Sequence, residues 1–467
     1  MEERKTAMAS AGKYEIDMCK GPLLGKMLIF VFPLFCTYAL QTLFNAADMV
    51  IIGRYGSSEA LAAIGATLNP ITLFLKLAIG LSTGTNVVLA YHLGARNDLK
   101  SRQCVHTAMA MALYGGLVLM IGAILTTRPI LVMMNTPDDI LKASCTYMWI
   151  YFLGMPALAV FNFGCAILRA KGDAKRPMYF LLWAGVINVL LNILFVVFCR
   201  MSVEGVALAT TISNALAAIL VLRVLLLSRD VCHLDFRRLR MNWDVSRAIL
   251  IVGIPAAINS TFFNLANIVI QSAINTFGTF AIAGCAACVS IESIVTLSSM
   301  AFQQMVMPFT AQNFGAKLYP RVVRCCVLGI ALSGGAGLLL GWILCGFGEQ
   351  ALGLFNSDPQ VIRWGMCRMR MVLLPFFLGA IMDAICGCLR GIGHPVVPTV
   401  CTMIGACFLR IAWVFLVFPF WKDMNTLFLC YPVSWFLVSL FTGILLYVYL
   451  RKIFQDELQM SRLTMFP

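Results

Sequence analysis

Gln41, Asn45 and Asp48 stand at i, i+4 and i+7 in the first long apolar run, Met27 to Gly53 (MLIFVFPLFCTYALQTLFNAADMVIIG). That spacing places all three on one helix face. The run is long enough to cross a bilayer, which takes roughly 20 apolar residues. A carboxylate inside a spanning helix is costly unless it faces protein or water, so Asp48 marks a functional position. Asn188 and Asn192 lie i, i+4 in the fifth apolar run, and Thr210 lies early in the sixth. Counted along their helices, Asp48, Asn192 and Thr210 sit roughly 8–9 Å below the outer edge. One carboxylate, two amide carbonyls and a hydroxyl at one depth suit a small hard cation or a proton. The asparagines and the threonine equally suit interhelical hydrogen bonding, and both readings stay open.

Other chemistries find no support. No G-x-x-x-x-G-K-[ST] stretch and no H-E-x-x-H stretch occurs. Asp138-Asp139 reads as charge at a helix N-terminus. The 18 cysteines lack metal-ligand spacing with histidine, and Cys386-x-Cys388 on a helix lacks redox geometry, so they read as small buried hydrophobes. No enzyme, no resident cofactor and no metal beyond a Na+ at Asp48 is expected.

These residues need helices in a membrane to hold them. The chain is 60% hydrophobic and only 12% charged over 467 residues, with mean hydropathy +0.87. A soluble chain carries about twice that charged fraction. The net charge of +14 sits in short clusters between apolar runs, which is loop bias and not a nucleic-acid-binding face. The first run is too long for the apolar region of a cleavable signal peptide.

Twelve helices are expected. The first six run over about 27–53, 61–91, 103–127, 138–168, 177–198 and 205–228. A polar stretch, 229–247, follows as a linker. The last six run over about 248–276, 280–312, 321–345, 358–389, 397–419 and 427–450. Residues 1–26 and 453–467 read as tails, leaving lobes at 27–228 and 248–452. The second lobe repeats the first. At an offset of 222, Asn45 falls on Asn267 and Gly56 on Gly278; at 221, Gly94-Ala95-Arg96 falls on Gly315-Ala316-Lys317, Asn135 on Asn356 and Gly172 on Gly393. The fold class is therefore an all-α integral membrane protein of twelve transmembrane helices in two six-helix lobes. The lobes are parallel repeats related by a pseudo-two-fold axis along the membrane normal.

Lysine and arginine concentrate in the first tail, the 94–102, 169–176, 229–247 and 317–324 loops, and at Arg451-Lys452. All fall on one side, which places both termini in the cytoplasm of a multi-pass cell-membrane protein. Four further charges lie inside helices: Lys76, Glu292, Asp383 and Arg410. Glu292 and Arg410, near mid-depth, are expected to pair, as structure or as substrate contact. Gly80-Leu-Ser-Thr-Gly84 has small residues four apart, which favours close helix packing.

In combination these features resemble the multidrug and toxic compound extrusion (MATE) transporters of prokaryotes. The resemblance is carried by the Gln41–Asn45–Asp48 stripe with Ile-Ile-Gly-Arg54, Leu61-Ala-Ala-Ile-Gly65, Gly80-Leu-Ser-Thr-Gly84 and Ile167-Leu-Arg-Ala-Lys-Gly172. Gly205-Val-Ala-Leu-Ala-Thr210, Gln271-Ser-Ala-Ile-Asn275 and Leu389-Arg-Gly-Ile-Gly393 extend it, from about Gly21 to Lys452. It implies two six-helix lobes that rock between inward- and outward-open states. It also implies export of organic, cationic or amphipathic compounds in exchange for H+ or Na+ by a monomer in the bilayer.

The family's amino-lobe cation site falls on Asp48, Asn188, Asn192 and Thr210. Asn192 replaces a second carboxylate of the family pattern, which weakens the case for tight Na+ binding. The substrate cavity is expected to draw on Gln41, Asn45, Asn267, Gln271, Glu292, Asp383 and Arg410. Asp383 lies a turn from the family's carboxylate position, which aligns on Gly379. The nearest rival is a lipid-linked precursor flippase of the same superfamily; a channel or an intramembrane enzyme fits less well.

Overall fold

The computed structural model describes residues 14–463, so Arg4, Lys5 and Lys13 of the expected first tail lie outside the described residues, as do 464–467. Helices account for most of the described residues. In the first half they are α1 (Leu23–Tyr55), α2 (Ser58–Gly94), α3 (Asp98–Met133), α4 (Asp138–Leu153), α5 (Met155–Lys171), α6 (Lys175–Asn192) and α7 (Val203–Leu227). In the second half they are α8 (Trp243–Asn275), α9 (Thr279–Gly315), α10 (Tyr319–Gly346), α11 (Pro359–Val372), α12 (Phe376–Gly391), α13 (Val396–Thr402), α14 (Leu409–Leu416) and α15 (Cys430–Leu463). Most exceed the roughly 20 residues a span requires.

Two of the expected spans are broken. The expected fourth helix is α4 and α5, bent by 46° at Gly154; the tenth is α11 and α12, bent by 45°. Pro156 and Pro375 stand beside these breaks, where a missing amide hydrogen prevents the helix from continuing straight. With each bent pair taken as one span, up to 12 helices among the described residues are long and apolar enough to cross a membrane. The last helix runs on to Leu463, through much of the stretch expected as a tail.

The internal repeat is structural. Helices α2 and α9 each have 37 residues. Each is followed by a left-handed residue, Arg96 at φ 52° and Lys317 at φ 57°. The motif glycines Gly172 and Gly393 both take positive φ, 103° and 89°. At these matched positions the repeated sequence selects the same turn.

The chain divides into two compact units, and the division falls inside helices. One unit holds Phe32–Ala257 and the chain up to Asp17; the other holds Met18–Val31 and the chain from Ile258. Residues 229–247 are expected as a linker; the division between the compact units falls further on, within α8. Close packing explains this. A Cβ on Gly84 would stand 2.2 Å from the Ile249 carbonyl oxygen, and one on Gly80 would stand 2.7 Å from Ala257. The small-residue pair on α2 thus brings the first half of α8 against it, and that half belongs to the first unit. In the second unit Phe30 packs edge-on to Phe309, with ring centroids 5.6 Å apart.

Residues 14–21 are held in place. Ile16 donates its amide to the Gly172 carbonyl at 3.1 Å. Further on, Arg321 donates to the carbonyls of Met18, Lys20 and Gly21 at 2.9–3.2 Å.

Candidate functional site

The first unit brings Asp48, Asn188, Asn192 and Thr210 together. Asn192 closes α6, and a single wider π-helical turn, Ile193–Phe198, follows it. Such turns re-aim side chains and recur at functional sites. Asn192 donates Nδ2–H to Asp48 Oδ1 at 2.5 Å and also reaches Asn188 Oδ1 at 3.2 Å. Asn188 in turn donates to Thr210 Oγ1 at 3.4 Å, and Thr210 donates to the Val206 carbonyl at 3.0 Å. The result is one polar chain across α1, α6 and α7.

Burial makes this chain consequential. Asn192 is fully buried and Asn188 nearly so, while Asp48 and Thr210 are half-buried. The Asn192 Oδ1 atom is buried without a hydrogen-bond partner. An open acceptor beside a carboxylate in a low-dielectric setting is unusual, because such atoms are nearly always paired. Tyr147 and Tyr151 of α4 lie within electrostatic reach of Asp48, and their rings are 6.2 Å apart. The sequence reading missed both; their i, i+4 spacing in a helix was the available signal.

The remaining residues named from sequence are placed differently. Gln41 is half-buried and Asn45 exposed on α1. On α8, Asn267 accepts from the Tyr431 hydroxyl at 3.5 Å, and Gln271 donates to Asn275 at 3.0 Å. Asp383 accepts from Ser299 Oγ at 2.7 Å.

The expected Glu292–Arg410 pair does not form. Glu292 instead makes a bidentate pair with Arg368 of α11, at 2.8 and 3.0 Å. Arg368 occupies the apolar stripe of α11 with Val361, Gly365 and Val372, which aims it inward at Glu292. Arg410 lies over the rings of Tyr431 (4.3 Å), Trp435 (5.6 Å) and Phe263 (5.8 Å). Its Nε donates to Ser434 at 2.9 Å, but its Nη2 is buried without a partner. Among the described residues no group of three or more His, Cys, Asp or Glu could hold a metal ion.

A single family pattern fits both halves: the MatE family model matches residues 33–194 and again 255–416. The chain belongs to the MatE family. Curated relatives match over three quarters or more of the chain. A probable multidrug resistance protein, YoeA of Bacillus subtilis (strain 168), is 27% identical over 448 residues, covering 94% of this chain and 95% of the relative. An FAD transporter of Shewanella oneidensis is 28% identical over 368 residues, covering 76% and 77%. The multidrug export protein MepA of Staphylococcus aureus (strain MW2) is 23% identical, covering 90% and 91%.

Two solved structures share the fold. A MATE crystal structure in the bent conformation superposes with TM-score 0.88 at 17% identity, covering 94% of this chain and 98% of that one. An outward-facing multidrug resistance MATE transporter of the MOP superfamily superposes at 0.86 with 18% identity, covering 94% and 98%. This MatE chain is a multi-pass membrane transporter of the multidrug efflux type. The flippase alternative is not favoured by these relatives.

Proposed function

We propose that this protein is a cation-coupled secondary antiporter that expels organic, cationic or amphipathic compounds by rocker-switch alternating access. The observation that carries the reading is the bond between Asn192 and Asp48. The amide hydrogen occupies the place a coupling cation would take against an ionised carboxylate. When Asp48 takes a proton, it becomes a donor, and rotating the Asn192 amide by half a turn offers the open Oδ1 as its acceptor. Either state satisfies one pair, so protonation exchanges two arrangements of α1 against α6 at little cost. Na+ would require the same rotation and would recruit Oδ1 of both asparagines and Thr210 Oγ1. With one carboxylate in the cluster, a proton is the better match.

Both termini face the cytoplasm in this reading, supported by the distribution of lysine and arginine. The protein in proteoliposomes, loaded with a fluorescent organic cation, should release it under an inward proton gradient. Equal release with no gradient, or conductance without counter-transport, would refute the antiport reading.

One observation favours a second reading of substrate. The unpartnered Arg410 Nη2 among three aromatic rings suits a planar anion. The relative named an FAD transporter points the same way. Flavin nucleotide loaded into the same liposomes separates the two substrate classes.

A further inference from the structure

A cavity of 420 Å³ opens in the first unit at the end of the lobe where α5 and α7 stop and α6 begins. Two walls meet there. Leu220, Arg223, Val224 and Leu227 follow the i, i+3, i+4, i+7 pattern of one α7 face, and Arg176 and Phe180 lie one turn apart on α6. Each helical wall thus carries an arginine beside apolar side chains, and Lys171, Arg229, Glu15 and Asp230 complete the lining.

The charges of the lining are unequally committed. Lys171 is held between Glu15, at 2.5 Å, and Asp230. Asp230 is fixed in turn by Ser228 Oγ and the Cys232 amide, both at 2.8 Å. Arg176 leans on Asp173 at 3.3 Å and over the Tyr14 ring at 5.3 Å. Arg223 and Arg229 line the same cavity and make no ion pair among the described residues. Two uncommitted guanidiniums thus line a pocket together with the apolar side chains of Phe180, Leu220, Val224 and Leu227.

We propose that this cavity binds the headgroup of an anionic phospholipid from the surrounding bilayer. Guanidinium forks match phosphate oxygens two at a time. Basic pockets between spans at a membrane face suit acidic lipid headgroups. The apolar wall decides between a lipid and a free phosphate, because Phe180, Leu220 and Val224 would be idle against inorganic phosphate but lie against the glycerol and first acyl methylenes of a lipid. Lys171 is taken up by Glu15 and Asp230, which leaves Arg223 and Arg229 for the headgroup. Binding there ties the start of α6 to the end of α7, the two helices that carry Asn188, Asn192 and Thr210.

The full-length protein, reconstituted in nanodiscs of equal phosphatidylglycerol and phosphatidylcholine and then analysed by native mass spectrometry, tests this. The wild type should retain phosphatidylglycerol in preference to phosphatidylcholine. Each surface arginine contributes about fivefold to affinity for anionic lipid, so Arg223→Gln with Arg229→Gln should lower retention by roughly 25-fold. Arg223→Lys with Arg229→Lys keeps the charge and should retain most of the preference. It also serves as the folded control if the glutamine variant unfolds. Equal retention of both lipids by the wild type, or unchanged retention in the glutamine variant, overturns the proposal. Displacement of the retained lipid by millimolar inorganic phosphate or ATP also overturns it and marks a soluble-anion site instead.

Discussion

Asn192 donates an amide hydrogen to the Asp48 carboxylate over 2.5 Å, joining two helices whose residues stand 144 apart in sequence. The same amide nitrogen reaches back to Asn188, and its own oxygen has no partner. One side chain therefore holds both a donor committed to the ionised carboxylate and an acceptor waiting for the protonated one.

Asp48→Asn removes the titratable group and nearly conserves its volume. Gradient-driven efflux from proteoliposomes should fall to the leak of protein-free vesicles, while membrane insertion and thermal stability stay near wild type. Efflux that still follows the proton gradient in this variant would show that coupling lies elsewhere.

Asn192→Asp and Asn192→Ala separate the roles of the amide. The aspartate adds a second carboxylate beside Asp48 and should make transport respond more strongly to Na+. The alanine leaves the Asp48 carboxylate without its donor, at a cost of about 1–3 kcal/mol. Efflux measured against separate Na+ and proton gradients should change in opposite senses for the two variants; an identical Na+ response would show that the pocket is not shared.

Much of this is legible in the sequence, and the reasons are physical. Asp48 stood out because a carboxylate in an apolar run has few tolerable environments. The matched motifs at 94–96 and 315–317 were visible because left-handed turns demand particular residues, and Arg96 and Lys317 share that conformation. The Glu292–Arg368 pair was not visible, because its members lie 76 residues apart and no local rule links them. A partial signal existed. Of the arginines in α11, Arg368 alone falls on the buried stripe, while Arg363 and Arg370 are exposed. The division of α8 between units was hidden for a similar reason, since tertiary packing against Gly80 and Gly84 decides it and the polar stretch before it does not.

The Glu292–Arg368 pair is nearly buried, with side-chain exposures of 12% and 6%. Removing one partner strands the other charge, so Glu292→Gln or Arg368→Met should each destabilise the second unit by about 3–5 kcal/mol. The double substitution should cost less than the sum of the two. Thermal unfolding of the four proteins in one detergent gives the coupling, and simple additivity would show that the pair is not a unit.

Gly84 carries the helix contact between α2 and the start of α8. A methyl there would stand 2.2 Å from the Ile249 carbonyl oxygen, a backbone atom that cannot rotate away. Gly84→Ala should therefore destabilise by about 1–3 kcal/mol through overpacking. Gly65→Ala on the same helix meets nothing within 4 Å and should be tolerated. Similar unfolding temperatures for the two variants would refute the close approach.

Asp173, in the turn between α5 and α6, supplies a pH dependence of definite sign. Burial pushes its carboxyl up from 3.8 to about 6, against hydrogen bonds from the Arg176 and Lys175 amides and the Arg176 charge. A raised carboxyl stabilises the fold fully below pH 3.8 and loses that contribution as pH rises through 6, because the folded state keeps a proton the unfolded chain has released. Asp230 acts in the opposite sense: burial raises it, the Lys171 pair outweighs burial, and its carboxyl is lowered overall. Its contribution is therefore present above pH 3.8 and lost below. Asp173→Asn keeps the acceptor for both amides and removes the titration. Its unfolding free energy relative to wild type should climb between pH 4 and 7, by an amount on the order of a few kcal/mol. A difference that stays flat across that window would show that Asp173 ionises without cost in the folded protein.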